Sequence, residues 1–166
     1  MRQYGNLKAV IWDLDGVIVD SEPLHFQSWH TTLEKYNSKV TDDQLRKLFG
    51  MTSPEVVKIL LGKDIEEGFV KKICDEKEQI FRAAIIQSAA YLPGVEHWLS
   101  NFMKTGLPQA MASSGSQENI DAILDALGTR PFLNVIVSGK DMPSKPDPAV
   151  FLLTAQKLCI HPSNCL

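Results

Sequence analysis

The chain has 166 residues and 18.5 kDa, with 44% hydrophobic and 22% charged residues, a balance that lets a soluble polypeptide bury a real core. A formal charge of -3 and a pI near 5.8 provide no basic excess to neutralise a nucleic-acid backbone or an anionic lipid surface, so neither partner is expected. No apolar run approaches the roughly 20 residues of a membrane span. The stretch Met1 to Lys8 lacks the apolar centre of a signal peptide, so the expected address is the cytoplasm. Cys74, Cys159 and Cys165 are widely separated and form no C-x-x-C pair, which predicts reduced thiols rather than a disulfide framework or a zinc site.

Between Leu7 and Trp12, the residues Ala9, Val10 and Ile11 form a short apolar run ending in charge, the pattern of a buried parallel strand that finishes near Asp13. From Glu22 to Ala90 the character changes: more than half of the chain's charged residues lie here, and the apolar ones recur at helical spacing. Phe26, Trp29, Leu33 and Tyr36 mark a first helix, and Thr41 with Gln44 reads as the capping box of a second. Ser53 and Pro54 are expected to be the N-cap and first-turn proline of a third, carrying Val57, Leu60 and Leu61. A fourth helix carries Phe69, Ile73, Ile80 and Ala84. Beyond Ala90 helices and strands alternate: a helix with Val95, Leu99 and Phe102, then a strand near Gln109 to Ala112. A helix with Ile120, Ile123, Leu124 and Leu127 follows, stopped by Gly128. Val135 to Val137 form a third strand, followed by a helix opened by Asp147 and Pro148 with Phe151, Leu152, Ala155 and Leu158 on its apolar face. Such alternation predicts an α/β fold with a parallel sheet. Trp12, Trp29 and Trp98 fall on apolar faces and are expected in the core. The sequence ends at Leu166 after a Pro162-Ser163-Asn164 turn, where the rhythm calls for another strand, so a C-terminally truncated chain is expected.

Three segments carry chemistry. Asp13 and Asp15, two residues apart at the carboxyl end of the first strand, can face one cleft where α/β sheets bind ligands. Two carboxylates about 4 Å apart repel by roughly 4 kcal/mol at an effective dielectric of 20, which invites a divalent cation or a shared proton. Mg²⁺ suits such hard oxygen donors. With a phosphate held there, one carboxylate can attack phosphorus while the other protonates the leaving oxygen, and Gly16 lets the backbone turn beside the ligand. Taken alone, the pair is equally well read as turn residues at a strand-to-loop junction. In the second segment, Ala112-Ser113-Ser114-Gly115-Ser116, hydroxyls and backbone N–H groups at a helix start can hold an anion; the plainer reading is that Ser116 is an N-cap. In the third, Ser144-Lys145-Pro146-Asp147-Pro148, Lys145 offers a compact positive charge to phosphate, although a lone loop lysine is usually solvated.

In this order, the three segments resemble the motifs of the haloacid dehalogenase superfamily, in its phosphatase and β-phosphoglucomutase-like branch, over nearly the whole chain. The resemblance implies a Rossmann-like parallel sheet in residues 1–20 and 91–166, the latter lacking the final strands. An all-helical cap is implied at 21–90, with hinges near Ser21 and Tyr91. It implies Asp13 as phosphorylated nucleophile and Asp15 as general acid/base whose main-chain carbonyl also binds Mg²⁺. Ser113, Ser114, Gly115 and Lys145 become phosphate holders, and a small phosphorylated metabolite, such as a sugar phosphate, the substrate. His25 could couple cap closure to the acid/base, or simply pack at the hinge. The dehalogenases proper generally lack an acid at the position of Asp15, which disfavours halide chemistry.

Two departures bear on activity. The family's fourth motif, an acidic pair supplying the last Mg²⁺ carboxylate, would follow Leu166, which raises the alternative of an inactive fragment or pseudoenzyme that only binds phosphate ligands. The segment Gly50-Met51-Thr52-Ser53-Pro54 also lacks the arginine that phosphoglucomutase-like members tend to place there, which favours phosphatase over phosphomutase. Nothing in the sequence fixes the oligomeric state.

Overall fold

A computed structural model describes residues 6–166. The chain forms two compact units, one made of the residues up to Asp20 together with Ala90–Leu166, the other of Ser21–Ala89.

The first unit is built on three parallel strands, β1 (Val10–Trp12), β2 (Gln109–Ser113) and β3 (Val135–Ser138), in spatial order β1-β2-β3. Val10 pairs with Gln109 and Trp12 with Met111, while Ala110 pairs with Val135 and Ser113 with Ser138. β2 is buried at every residue, as a central strand covered on both faces must be. Its one long polar side chain, Gln109, is satisfied internally: it accepts from Trp12 Nε1 at 3.0 Å and donates to the Leu99 carbonyl at 2.9 Å. Three helices complete the unit: α5 (Val95–Lys104), α6 (Gln117–Leu127) and α7 (Ala149–Lys157). α5 packs on β2 and α7 against all three strands. Parallel strands need crossovers of this kind, and the helices supply them. On the free side of β1 the last residues run alongside it: the Ile11 N–H donates to the Leu166 carbonyl at 2.7 Å and the Leu166 N–H to the Ala9 carbonyl at 3.1 Å. Where a further strand is expected after the Pro162 turn, Cys165 forms an isolated parallel bridge to Ala9.

The second unit is entirely helical, with α1 (Glu22–Glu34), α2 (Asp42–Leu48), α3 (Ser53–Leu61) and α4 (Glu67–Ser88). α1 packs along α4, and α3 also rests on α4. Phe26, Trp29 and Leu33 of α1 meet Val56, Val57, Val70 and Ile73 in one core, each such side chain contributing roughly 1.5–3 kcal/mol by leaving water. The Thr41–Gln44 capping box is present, with the Thr41 N–H donating to Gln44 Oε1 at 2.9 Å. Inside this core lies a charge: Lys77, 2% exposed, donates from Nζ to Glu78 Oε1 at 3.0 Å and to His25 Nδ1 at 2.9 Å. Its ammonium also lies over the rings of Trp29 and Phe81, 5.4 and 5.1 Å from their centroids.

Three sequence expectations need correction. Thr52, not Ser53, caps α3: Glu55 accepts from the Thr52 N–H at 2.8 Å, while the Ser53 hydroxyl is engaged by Glu78 Oε1 at 2.7 Å. Trp98 is 45% exposed, because α5 turns Val95, Leu99 and Phe102 inward and Trp98 falls between those positions. On α7 the buried residues are Val150, Thr154 and Ala155, and Leu152 faces out.

Candidate active site

The carboxyl end of β1 is shaped by one buried residue. Leu14, 1% exposed, anchors the loop, and its carbonyl accepts from the N–H groups of Val17, Ile18 and Val19 at 3.3, 2.9 and 3.1 Å. Gly16, at φ 72°, turns its N–H back to the Val19 carbonyl at 2.9 Å, a conformation that L side chains resist. The returning segment is held in turn, since Leu92 N–H donates to the Ile18 carbonyl at 3.1 Å and Val19 bridges Tyr91 in antiparallel fashion. With Leu14 pinned inward, the flanking Asp13 and Asp15 are held half-buried on a turn of fixed shape.

The other two loops emerge at the same sheet edge. Lys145 reaches across to Asp13, its Nζ donating to Oδ1 at 2.6 Å, and the same oxygen accepts the Leu14 N–H at 2.8 Å. The side chains of this ion pair retain 26% and 30% of their exposure, so the pair is sheltered yet reachable. The Lys145 ammonium also lies 4.8 Å from the centroid of the Phe151 ring. Ser113 ends β2 and is buried; its Oγ accepts the Gly115 N–H at 3.0 Å and its carbonyl accepts the Gly139 N–H at 2.7 Å. Ser138 closes the connection from β3, donating from Oγ to the Gly115 carbonyl at 2.7 Å. The second and third loops are therefore clasped together, and Ser116 caps α6 by accepting the Asn119 N–H at 3.3 Å.

Of the expected site residues, Asp13 and Lys145 are in direct contact, and Asp15, Ser113, Ser114 and Gly115 lie on loops at the same carboxyl edge of the sheet. His25 belongs to the helical unit, where it stacks on Phe81 at 3.9 Å between centroids and receives Lys77. Phe151, Ser138 and Gly139 had no signal in the sequence: each acts on the site through a neighbour, and only the register of β2 against β3 and the first turn of α7 bring them there.

Asp13 and Asp15 form a hard, all-oxygen donor pair of the kind that fits Mg²⁺, which keeps several waters and takes one or two carboxylates plus a substrate phosphate. Among the described residues, no cluster of three or more His, Cys, Asp or Glu side chains forms a cage for a metal. The described helices include none long and apolar enough to cross a membrane.

The family model for haloacid dehalogenase-like hydrolases matches residues 10–166. A phosphorylated carbohydrates phosphatase of Thermotoga maritima is 31% identical over 163 residues, which is 95% of this chain and 74% of that protein. Fructose-1-phosphate phosphatase of Escherichia coli is 25% identical, covering 98% of this chain and 86% of its own. Among solved structures, a β-phosphoglucomutase from Clostridium difficile superposes with a TM-score of 0.83 at 26% identity, over 96% of this chain and 74% of that one.

Proposed function

The chain belongs to the haloacid dehalogenase-like hydrolases, and from that premise we propose that it is a Mg²⁺-dependent phosphatase of small phosphorylated metabolites, sugar phosphates foremost, working through an aspartyl phosphate at Asp13. The observation that carries this reading is the Lys145–Asp13 contact at 2.6 Å, spanning 132 residues of sequence to bring a cation and a carboxylate together at the sheet edge. The named phosphatases among the relatives support the substrate class.

Oδ1 of Asp13 is occupied by Lys145 and the Leu14 N–H, which leaves Oδ2 to attack phosphorus in line. The P–O ester bond breaks as the new P–O bond to Asp13 forms, and the leaving alkoxide takes the proton of the Asp15 carboxyl. Asp15, now a carboxylate, accepts a proton from water, whose oxygen attacks the same phosphorus, releases inorganic phosphate and restores Asp13. Lys145 and the N–H groups of the Ser113–Ser116 loop balance the charge on the phosphoryl oxygens. The Asp13 carboxylate and the Asp15 main-chain carbonyl would hold a Mg²⁺ ion, which would supply further positive charge against those oxygens. A reducing cytoplasmic compartment suits the three free thiols.

An Asp13→Asn variant removes the nucleophile while keeping the side-chain shape. It is expected to lose Mg²⁺-dependent hydrolysis of p-nitrophenyl phosphate by at least three orders of magnitude, as removal of a covalent nucleophile typically does. Turnover within tenfold of the parent would defeat the assignment. Release of free phosphate from a sugar monophosphate without any bisphosphate activator separates a phosphatase from a phosphomutase.

A further inference from the structure

The Lys145 ammonium has two partners of different kinds: the Asp13 carboxylate at 2.6 Å and the face of the Phe151 ring, 4.8 Å away at the centroid. The first is a charge that the reaction itself consumes. When Asp13 attacks phosphorus, its carboxylate becomes part of an acyl phosphate: the carboxylate charge is lost and the negative charge lies on the phosphoryl oxygens instead, so Lys145 must exchange one anionic partner for another without leaving the site. The ring has no such dependence, because its quadrupole is unchanged by any step of the chemistry. It is also anchored: Phe151 lies in the first turn of α7 and packs, partly buried, against the cluster of Ala112, Val137 and Val150.

We propose that Phe151 is a positioning residue, an aromatic seat that keeps the Lys145 ammonium at the phosphate site whether or not Asp13 carries its negative charge. This rests on the phosphatase reading above and adds to it a residue that acts through Lys145. A merely structural Phe151 depends on size and shape; a seat depends on the electron density of the ring face.

The two can be separated by replacing Phe151 with difluoro-, trifluoro- and pentafluorophenylalanine, which nearly conserve volume while progressively draining the ring face. Inorganic phosphate affinity is measured by calorimetric titration in Mg²⁺, and KM and kcat with p-nitrophenyl phosphate, alongside the thermal midpoint of each variant. The expected result is a graded weakening of phosphate affinity and kcat/KM, reaching roughly 3- to 30-fold at the end of the series, with thermal midpoints unchanged. Phe151→Tyr should stay near the parent and Phe151→Leu should fall with the fluorinated end. A flat series in a protein that binds and hydrolyses phosphate esters overturns the seat. A parent protein that neither binds phosphate nor hydrolyses the ester overturns the phosphatase reading instead, and the seat falls with it.

Discussion

Gly139 occupies a place where a side chain would be crowded, and Gly139→Ala measures how tightly the site's loops are clasped. A methyl there would stand 3.0 Å from Val150 Cγ2, 3.2 Å from Val150 Cβ and 3.3 Å from the Ser113 carbonyl oxygen, against about 3.5–4.0 Å for an ordinary carbon contact. Neither neighbour can yield cheaply. Val150 is buried in the core under α7, and the Ser113 carbonyl is already committed to the Gly139 N–H at 2.7 Å. The expected destabilisation is that of core overpacking, about 1–3 kcal/mol, equivalent to a fall of roughly 2–12 °C in thermal midpoint for a chain of this size. A double-mutant cycle by urea denaturation gives the sharper test, because Val150→Ala opens space at the crowded point. In the Gly139→Ala background Val150→Ala should cost about 1 kcal/mol less than it does in the parent. Additivity within about 0.5 kcal/mol would show that the two positions do not compete for space, and the reasoning would fail. The alanine also pushes on the carbonyl that ends β2, so KM for a phosphate ester should rise in molecules that remain folded.

Two further outcomes follow from groups away from the site. The Glu55 carboxyl is held below its ordinary value, first by the Thr52 hydroxyl and then by the Thr52 N–H. Stability from such a lowered acid is present above the unfolded value of 4.5 and is lost as pH falls through the folded one. Thr52→Ala should therefore cost about 1 kcal/mol at pH 7, with the urea midpoints of variant and parent drawing together as pH falls below 4.5; a gap of constant size from pH 7 down through that range would contradict the cap. Burial pushes the Cys74 thiol up to about 11, leaving roughly one molecule in a thousand ionised at pH 8. Ellman's reagent at that pH should label the exposed Cys159 quickly and leave Cys74 intact until the protein is unfolded, and prompt labelling of Cys74 in the native state would refute its burial.

What could be read from the sequence was whatever short-range chemistry decides. The run Ala9 to Ile11, the Thr41–Gln44 box and the helix stop at Gly128 are local signals, and each element formed where its signal lies. The helix cap at Thr52 was misread because Thr52 and Ser53 are both good caps in isolation; a partner on α4, Glu78, claims the Ser53 hydroxyl. Trp98 was misread because helical periodicity alone does not say where a broad apolar stripe stops. In the site, Asp13, Asp15 and Lys145 stood out by residue type and order. The clasp of Ser138 and Gly139 and the ring of Phe151 did not, since a serine, a glycine and a phenylalanine acquire these roles only through the pairing of Ser113 with Ser138 and the docking of α7 on the sheet.

The ammonium buried between α1 and α4 has a consequence for how those helices can meet. His25 and Trp29 of α1, and Glu78 and Phe81 of α4, surround Lys77 with one acceptor or ring face in each direction it uses. Sliding α4 by a single residue swings its side chains through about 100° and carries the charge away from all of α1's partners. Such an alignment would leave the cation with only Glu78 and Phe81 of its own helix, without the His25 acceptor and the Trp29 ring that meet it from α1. Apolar side chains tolerate many alignments almost equally; the lysine favours the one in which α1 supplies its acceptor and ring face.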